Sequence, residues 1–154
     1  MEALLRDYYD PYHGALKRTL DRAHARFGAV WHIDCHSTRS RGNAMNDDDG
    51  KLRPDFVISD REGTTAAGGF TEHVAAALRA FGYDVRINDP YKGAELISAY
   101  AQASERRHSI QIEINRRLYM DEDAVVKHDG FDALARNLDR LLGGVAAFVR
   151  AQIG

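Results

Sequence analysis

Cysteine, proline and long apolar runs are all scarce in this sequence of 154 residues. The single cysteine, Cys35, cannot form an internal disulfide, which excludes a disulfide-stabilised scaffold and predicts a reducing, cytoplasmic location. The 3 proline and 13 glycine residues are too few for a collagen-like or low-complexity chain. The longest apolar stretches, around Val74–Leu78 and Val145–Val149, are far shorter than a membrane span, so we expect no transmembrane helix.

The sequence also lacks an excess of charge of one sign. It has 21 Lys and Arg residues and 23 Asp and Glu residues, which gives a net charge of −2. Nucleic-acid-binding proteins usually carry a basic excess, so we expect no nucleic acid partner. Glu2, Arg6 and Asp7 interrupt the apolar residues at the start of the chain, which argues against a secretory signal. The remaining composition is that of an ordinary globular domain.

Hydrophobic periodicity predicts that helices and strands alternate along the chain. It predicts helices over 4–27, 70–81 and 130–153, and strands over 29–34, 55–59, 84–88 and 109–115. Pro11 predicts a break in the first helix, whose stronger part then begins at Asp10. Residues 89–107 are expected to be mostly loop, with one turn of helix. This order predicts an α/β fold with a mixed, mostly parallel sheet and helices on both faces.

The last predicted strand carries polar side chains on one face. Because side chains alternate along a strand, Gln111, Glu113 and Asn115 share one face and three isoleucines share the other. A carboxylate in such a strand is costly unless it is paired, hydrogen-bonded or near a metal. Glu113 is therefore a candidate catalytic residue, and the alternative is a structural pair with Arg116 on an edge strand.

The first predicted strand ends in a second polar group. Alternation places Asp34 and His36 on the same face, so the carboxylate can orient the imidazole in the manner of a metal-ligating histidine. The alternative is a hydrogen-bonded histidine with a structural role. Cys35 points to the opposite face from His36, which argues against a thiol nucleophile activated by that histidine.

Two further segments contain residue types found in ligand sites. Asp47–Asp49 precede Gly50, but their spacing does not match a calcium-binding loop and favours a solvated loop. Gly63–Gly69 could surround an anion with backbone amides, but the glycine spacing of a phosphate-binding loop is absent. A flexible connector is the favoured interpretation of the second segment.

Five segments resemble the N-formylglutamate amidohydrolase family. They are Tyr8–His13, His32–Ser37, Arg53–Phe56, Asn88–Gly93 and Gln111–Met120, and together they extend over most of the chain. The family is similar to the zinc carboxypeptidases. The resemblance implies an α/β fold with a mixed sheet, one zinc ion, and hydrolysis of the amide bond of an N-acyl amino acid such as N-formyl-L-glutamate.

The resemblance also implies roles for individual residues. It implies that His36 is a zinc ligand oriented by Asp34, and that Glu113 takes a proton from a zinc-bound water and returns it to the leaving amine. The substrate carboxylates would then need arginines. The candidates nearest the two strand ends are Arg39, Arg41 and Arg116, and each could equally be a solvated surface residue.

The resemblance covers the C-terminal portion of the family domain, so we expect residues 1–154 to form one domain that lacks two of the family's zinc ligands. A catalytic zinc site uses three protein ligands, and this sequence identifies one of them. Two hypotheses follow. The chain is all or part of a metal-dependent amidohydrolase, or it is a non-catalytic module that binds a carboxylate ligand or a partner. In the second case an apolar surface is expected to promote self-association.

Overall fold

A four-stranded sheet with helices on both faces forms the body of the computed structural model, which describes residues 2–42, 50–67 and 69–154. The strands are β1 (Val30–Thr38), β2 (Phe56–Ser59), β3 (Val85–Ile87) and β4 (Arg107–Asn115), and β5 (Met120–Asp121) and β6 (Val126–Lys127) form a separate hairpin. The helices are α1 (Glu2–Leu4), α2 (Asp10–Phe27), α3 (Phe70–Ala80), α4 (Glu95–Tyr100) and α5 (Gly130–Ile153).

The sheet has the strand order β1-β4-β2-β3. β1 pairs in parallel with β4 over nine residues, and β2 pairs in parallel with β3. β4 and β2 run antiparallel, so two of the three pairings are parallel. The predicted α/β class with a mixed, mostly parallel sheet is therefore confirmed.

The first helical stretch differs from the predicted broken helix. Residues Leu5–Tyr9 form a π-helical turn that leads directly into α2, which begins at Asp10. Pro11 has no backbone N–H to donate, and it lies in the first turn of α2, directly where the π-helical turn changes to α-helix. The helix ends as expected at Gly28, whose left-handed conformation lets its N–H bond to the carbonyl of His24.

The apolar face of the sheet packs against α3 and α5. Ile110 and Ile112 of β4 lie beside Phe56 and Ile58 of β2, and all four are almost completely buried. Both helices turn apolar stripes to this face, so the hydrophobic core lies between it and the helix pair. The alternation predicted for β4 therefore divides the sheet into an apolar and a polar face.

Helices α2 and α4 contact the sheet on its polar face. Arg107 at the start of β4 forms an ion pair with Asp21 of α2 at 2.9 Å. The Tyr100 hydroxyl of α4 lies 2.6 Å from Nδ1 of His13 in α2, so the two helices also contact each other. Both helices lie towards the start of β4, and the other end of this face is left for the polar side chains. None of the described helices is long and apolar enough to cross a membrane.

The structure differs from the sequence predictions in three elements. β1 continues four residues past its predicted end at Asp34, because β4 provides a hydrogen-bonding partner as far as Thr38. Residues 89–107, expected to be mostly loop with one turn of helix, contain α4, which at six residues is longer than one turn. The hairpin of β5 and β6 was not predicted, since its strands have two residues each and show no measurable alternation.

Candidate active site

The pairing of β1 with β4 brings the two predicted polar groups together. In the parallel register His36 lies opposite Glu113, and Asp34 lies opposite Gln111. A shift of β4 by one residue would move Glu113 to the other face of the sheet, away from His36. The same shift would turn the isoleucines of β4 away from the core. The same pattern that buries the core therefore holds His36 beside Glu113.

Asp34, His36 and Glu113 form a row of titratable side chains. Oδ2 of Asp34 lies 3.0 Å from Nε2 of His36, and Nδ1 of His36 lies 3.6 Å from Oε1 of Glu113. His36 is exposed, whereas Glu113 is 8% exposed. The imidazole is thus oriented by one carboxylate and faces a second, more buried one.

The surroundings of Glu113 exclude the structural pair with Arg116. β4 is an internal strand, and the Arg116 guanidinium bonds instead to the hydroxyl and carbonyl of Ser37. Burial raises the pKa of Glu113, and the opposing effects of His36 and of a hydrogen bond from Gln111 do not cancel it. A carboxylate with a raised pKa holds a proton more readily, as general acid–base catalysis near neutral pH requires.

A loop of residues 88–94 forms the opposite wall of the site. Together with His36, Gln111 and Glu113, residues 90–94 of this loop line a cleft of about 360 Å³. The loop is attached to the sheet by the hydroxyl of Ser59, which donates to the Tyr91 carbonyl at 2.7 Å. The Tyr91 hydroxyl in turn lies 3.0 Å from Oγ1 of Thr38. The cleft wall is therefore held by side chains from two strands.

Asp60 holds the start of this loop. Its Oδ1 accepts hydrogen bonds from Asn88 Nδ2 and the Gly63 N–H, both at 2.8 Å, and its Oδ2 accepts one from the Thr71 hydroxyl at 2.6 Å. Burial acts to raise the pKa of Asp60, but these hydrogen bonds together hold it below its ordinary value. The amide of Gly63 therefore binds the carboxylate of Asp60.

The three candidate arginines lie in different places. Arg116 lies at the ends of β1 and β4, close to Ser37. Arg39 and Arg41 line a second cleft of about 570 Å³ beside the β5–β6 hairpin, which does not include His36 or Glu113 among its lining residues. The Arg41 guanidinium donates to the carbonyl of Gly50. Substrate binding by these arginines stays a prediction.

Sequence reasoning missed three residues that shape the site. Gln111 donates a hydrogen bond to Glu113, Asp60 holds the cleft loop, and the buried Arg53 donates to Thr38 while its guanidinium lies 5.3 Å from the Tyr91 ring centroid. Arg53 and Gln111 both lie within segments that carry the family resemblance. That resemblance is the signal by which sequence analysis could have identified them as site residues. Asp60 had a weaker signal, as a carboxylate directly after a fully buried strand.

The described residues provide only part of the ligand set that a zinc ion would need. His36, with Asp34 on one ring nitrogen, has the arrangement of a ligating histidine held by a carboxylate. Within residues 2–42, 50–67 and 69–154, however, no group of three His, Cys, Asp or Glu side chains could hold a metal ion. The described residues alone do not fit a catalytic zinc site, which needs three protein ligands. Asp47–Asp49 lie outside the described residues.

Comparisons with known proteins relate the sequence to one family. The sequence profile of a family described as N-formylglutamate amidohydrolase matches residues 1–120. N-formylglutamate deformylase of Pseudomonas putida is 33% identical over 119 residues, which cover 77% of this chain and 43% of that protein. The corresponding protein of Pseudomonas aeruginosa is 34% identical over 125 residues, which cover 78% of this chain and 44% of that protein. The chain thus spans under half the length of these curated relatives.

Solved structures show the same relationship. The crystal structure of N-formylglutamate amidohydrolase from Ralstonia eutropha JMP134 matches with a TM-score of 0.90 and 42% identity, over 98% of this chain and 54% of that one. A gene product of Agrobacterium tumefaciens matches with a TM-score of 0.65 and 19% identity, over 92% of this chain and 52% of that one. The second match indicates a shared fold alone.

Proposed function

Because the chain belongs to the N-formylglutamate amidohydrolase family, we propose that it forms part of an enzyme that hydrolyses N-formyl amino acids in the cytoplasm. The proposed substrate is N-formyl-L-glutamate, and the products are formate and glutamate. The observation that carries this proposal is the row of Asp34, His36 and Glu113 beside a cleft. Such a row suits a reaction in which a proton moves between water and a leaving amine.

Glu113 is the proposed proton carrier. Its carboxylate accepts a proton from water as the water oxygen attacks the formyl carbon, and it returns that proton to the nitrogen as the carbon–nitrogen bond breaks. The raised pKa of Glu113, caused mainly by burial, supports both halves of this cycle. Asp34 holds the His36 ring in one orientation beside the reacting groups.

Arg116 is the proposed partner of a substrate carboxylate at the strand ends. Arg116 is partly exposed, and the two hydrogen bonds from its guanidinium to Ser37 keep it beside β1 on the side where His36 lies. Guanidinium groups bind carboxylates through paired hydrogen bonds, which suits a dicarboxylic product. Arg39 and Arg41 are proposed as more distant contributors, from the second cleft.

We further propose that zinc binds in the complete site with His36 as one ligand, and that the other ligands come from polypeptide other than the described residues. The contact between Asp34 and His36, which is the usual arrangement of a ligating histidine, supports this proposal, and the described residues hold no group of three ligands. We accordingly expect the isolated chain to hydrolyse N-formyl-L-glutamate negligibly.

To test this proposal, the chain is co-expressed with the part of the Ralstonia eutropha relative that its structure does not match. Formate release from N-formyl-L-glutamate is then measured for the wild type and for Glu113→Gln. The amide has the shape of the carboxylate but cannot accept the proton, so we expect turnover to be abolished with the fold intact. Turnover of Glu113→Gln within tenfold of the parent would contradict the role of Glu113.

A binding module is the second candidate function, favoured by one surface. Leu4, Leu5, Tyr8, Tyr9 and Tyr12 are all exposed on the first helical stretch, and Tyr8 is 73% exposed. Exposed apolar patches of this kind mark interaction sites. We propose that this surface supports self-association through a second copy of the chain.

Analytical ultracentrifugation tests the second candidate. Sedimentation that depends on concentration in the wild type, and that is lost when Tyr8 and Tyr12 are both replaced by Ser, would support a second copy on this surface. A wild-type chain that sediments as a monomer throughout the accessible concentration range would exclude it.

A further inference from the structure

Gln111 lies between the cleft loop and the proposed proton carrier. Its side chain is 3% exposed, and it shares the polar face of β4 with Glu113, two residues along the strand. The Nε2 group donates to Oε1 of Glu113 at 2.9 Å, while Oε1 of Gln111 accepts from the Ala94 N–H at 2.8 Å. The side-chain amide of Gln111 therefore connects the backbone of the cleft loop at one end to the carboxylate of Glu113 at the other.

The contact with Ala94 fixes which way the amide faces. A backbone N–H can only donate, so the group that meets Ala94 has to be the carbonyl oxygen of the side chain. The NH₂ group then has to point towards Glu113, because the two groups lie on the same planar amide. Rotating the amide by half a turn would place two donors together at Ala94 and two acceptors together at Glu113.

The loop that ends at Ala94 is itself held in place. Ser59 bonds to the Tyr91 carbonyl, and the Arg61 N–H bonds to the Lys92 carbonyl at 2.9 Å. Gly93 has a φ of 103°, a backbone conformation that favours glycine. A Cβ there would lie 2.3 Å from Cδ1 of Ile97 in α4, so the loop passes α4 too closely for a side chain. Gln111 is therefore attached at one end to a firmly placed stretch of backbone.

We propose that Gln111 is a positioning residue, which uses the fixed Ala94 N–H to hold its own NH₂ group against Glu113 and so sets the orientation of that carboxylate in the cleft. The inference rests on the proposed role of Glu113 in proton transfer. Small displacements of a catalytic group lower the rate strongly, by about 100-fold for 1 Å in some enzymes. The expected effect of losing this hydrogen bond therefore falls mainly on kcat.

Gln111→Glu separates positioning from a merely structural role. A carboxylate at residue 111 can still accept from the Ala94 N–H, but it no longer presents an NH₂ group to Glu113. We expect kcat for N-formyl-L-glutamate to fall by about 10- to 100-fold, with KM changed by less than about threefold, in the co-expressed enzyme. Gln102→Glu, the same change at an exposed residue close to β4, should leave both constants unchanged. A Gln111→Glu enzyme with kcat within twofold of the wild type would overturn the proposal.

An NMR measurement on the 154-residue chain needs no activity and decides the case if Gln111→Glu does not fold. The side-chain NH₂ resonances of Gln111 should lie downfield in the wild type, because one proton bonds to a carboxylate, and should move upfield in Glu113→Ala. Resonances that do not respond to Glu113→Ala would overturn the inference. Lack of any formate release with responsive resonances would instead contradict the proposed function and leave the positioning of the carboxylate supported.

Discussion

Replacing the buried carboxylate of Asp60 gives a quantitative test of how the cleft wall is held. In Asp60→Asn the amide oxygen can still accept from Gly63 and Asn88, and the NH₂ group can donate to the Thr71 hydroxyl. The substitution therefore removes the negative charge of Asp60 but leaves each of the three hydrogen bonds a partner. A hydrogen bond to a charged group contributes roughly 1 kcal/mol more than a neutral one, so the three bonds that lose a charged acceptor predict a loss of about 3 kcal/mol in the free energy of unfolding at pH 7.

The effect should depend on pH in a direction fixed by the lowered pKa of Asp60. A folded-state pKa below the unfolded value, which is about 3.9 for aspartate, contributes stability that is fully present above that value. This contribution is lost as the pH falls through the folded-state pKa. The stability difference between wild type and Asp60→Asn should therefore be constant near neutral pH and shrink below about pH 4.

Urea denaturation at a series of pH values measures this difference. The melting temperature should also fall, by about 6–12 °C at pH 7 for a chain of this size. Glu62→Gln is the matched control, since Glu62 is an exposed carboxylate whose ion pair with Lys92 lies in solvent. The control should change stability by less than about 0.5 kcal/mol. A difference for Asp60→Asn that is equally small, or that does not shrink in acid, would refute the reasoning.

Two further predictions concern the core and the metal. Leu141 of α5 is 2% exposed and its neighbour Leu142 is 57% exposed, so Leu141→Ala should lower the free energy of unfolding by about 2–5 kcal/mol and Leu142→Ala by less than about 0.5 kcal/mol, as measured in urea. Equal losses would mean that the apolar face of α5 is misassigned. The isolated chain should purify with well under one equivalent of zinc by elemental analysis, because three ligands together provide the affinity of a catalytic site. Stoichiometric zinc that disappears in His36→Ala would contradict this expectation.

Local patterns were sufficient to predict the elements that bury a regular apolar stripe. α5 begins at Gly130 and ends at Ile153, as predicted, because its leucines and valines repeat at helical spacing over about four turns. The two faces of β4 were predicted in the same way, since strict alternation from Ser109 to Asn115 leaves one arrangement that buries the isoleucines.

Elements whose form depends on distant partners were not predictable in this way. The apolar run of β1 ends before Asp34, and nothing local indicates that β4 continues the pairing to Thr38. The position of Glu113 on an internal strand also depends on strand order, which the sequence does not encode locally. For that reason the sequence alone leaves open the pairing of Glu113 with Arg116 on an edge strand. The strand order excludes it, because β4 is an internal strand.

The candidate site was predicted in part. His36, Asp34 and Glu113 were recognisable because they interrupt apolar strands at regular intervals, and the structure brings them together. Gln111 and Asp60 act through the loop of residues 88–94, and their contacts join parts of the chain that lie 17 and 28 residues apart. Such contacts have no local pattern, so only the three-dimensional structure shows the roles of these two residues.

The insertion of β4 between β1 and β2 also determines when this sheet can form during synthesis. β1 and β2 are translated early, but neither has its main partner until residues 107–115 have left the ribosome. Until then the nascent chain has β2 and β3 as its available pair, together with an apolar α3 that has no α5 to cover it. Non-local pairing of this kind is slow and leaves apolar surface open to other chains. Pairing of the central strand is thus the step on which the yield of folded protein depends, and chaperone binding during translation should be concentrated on nascent chains from which β4 has not yet emerged.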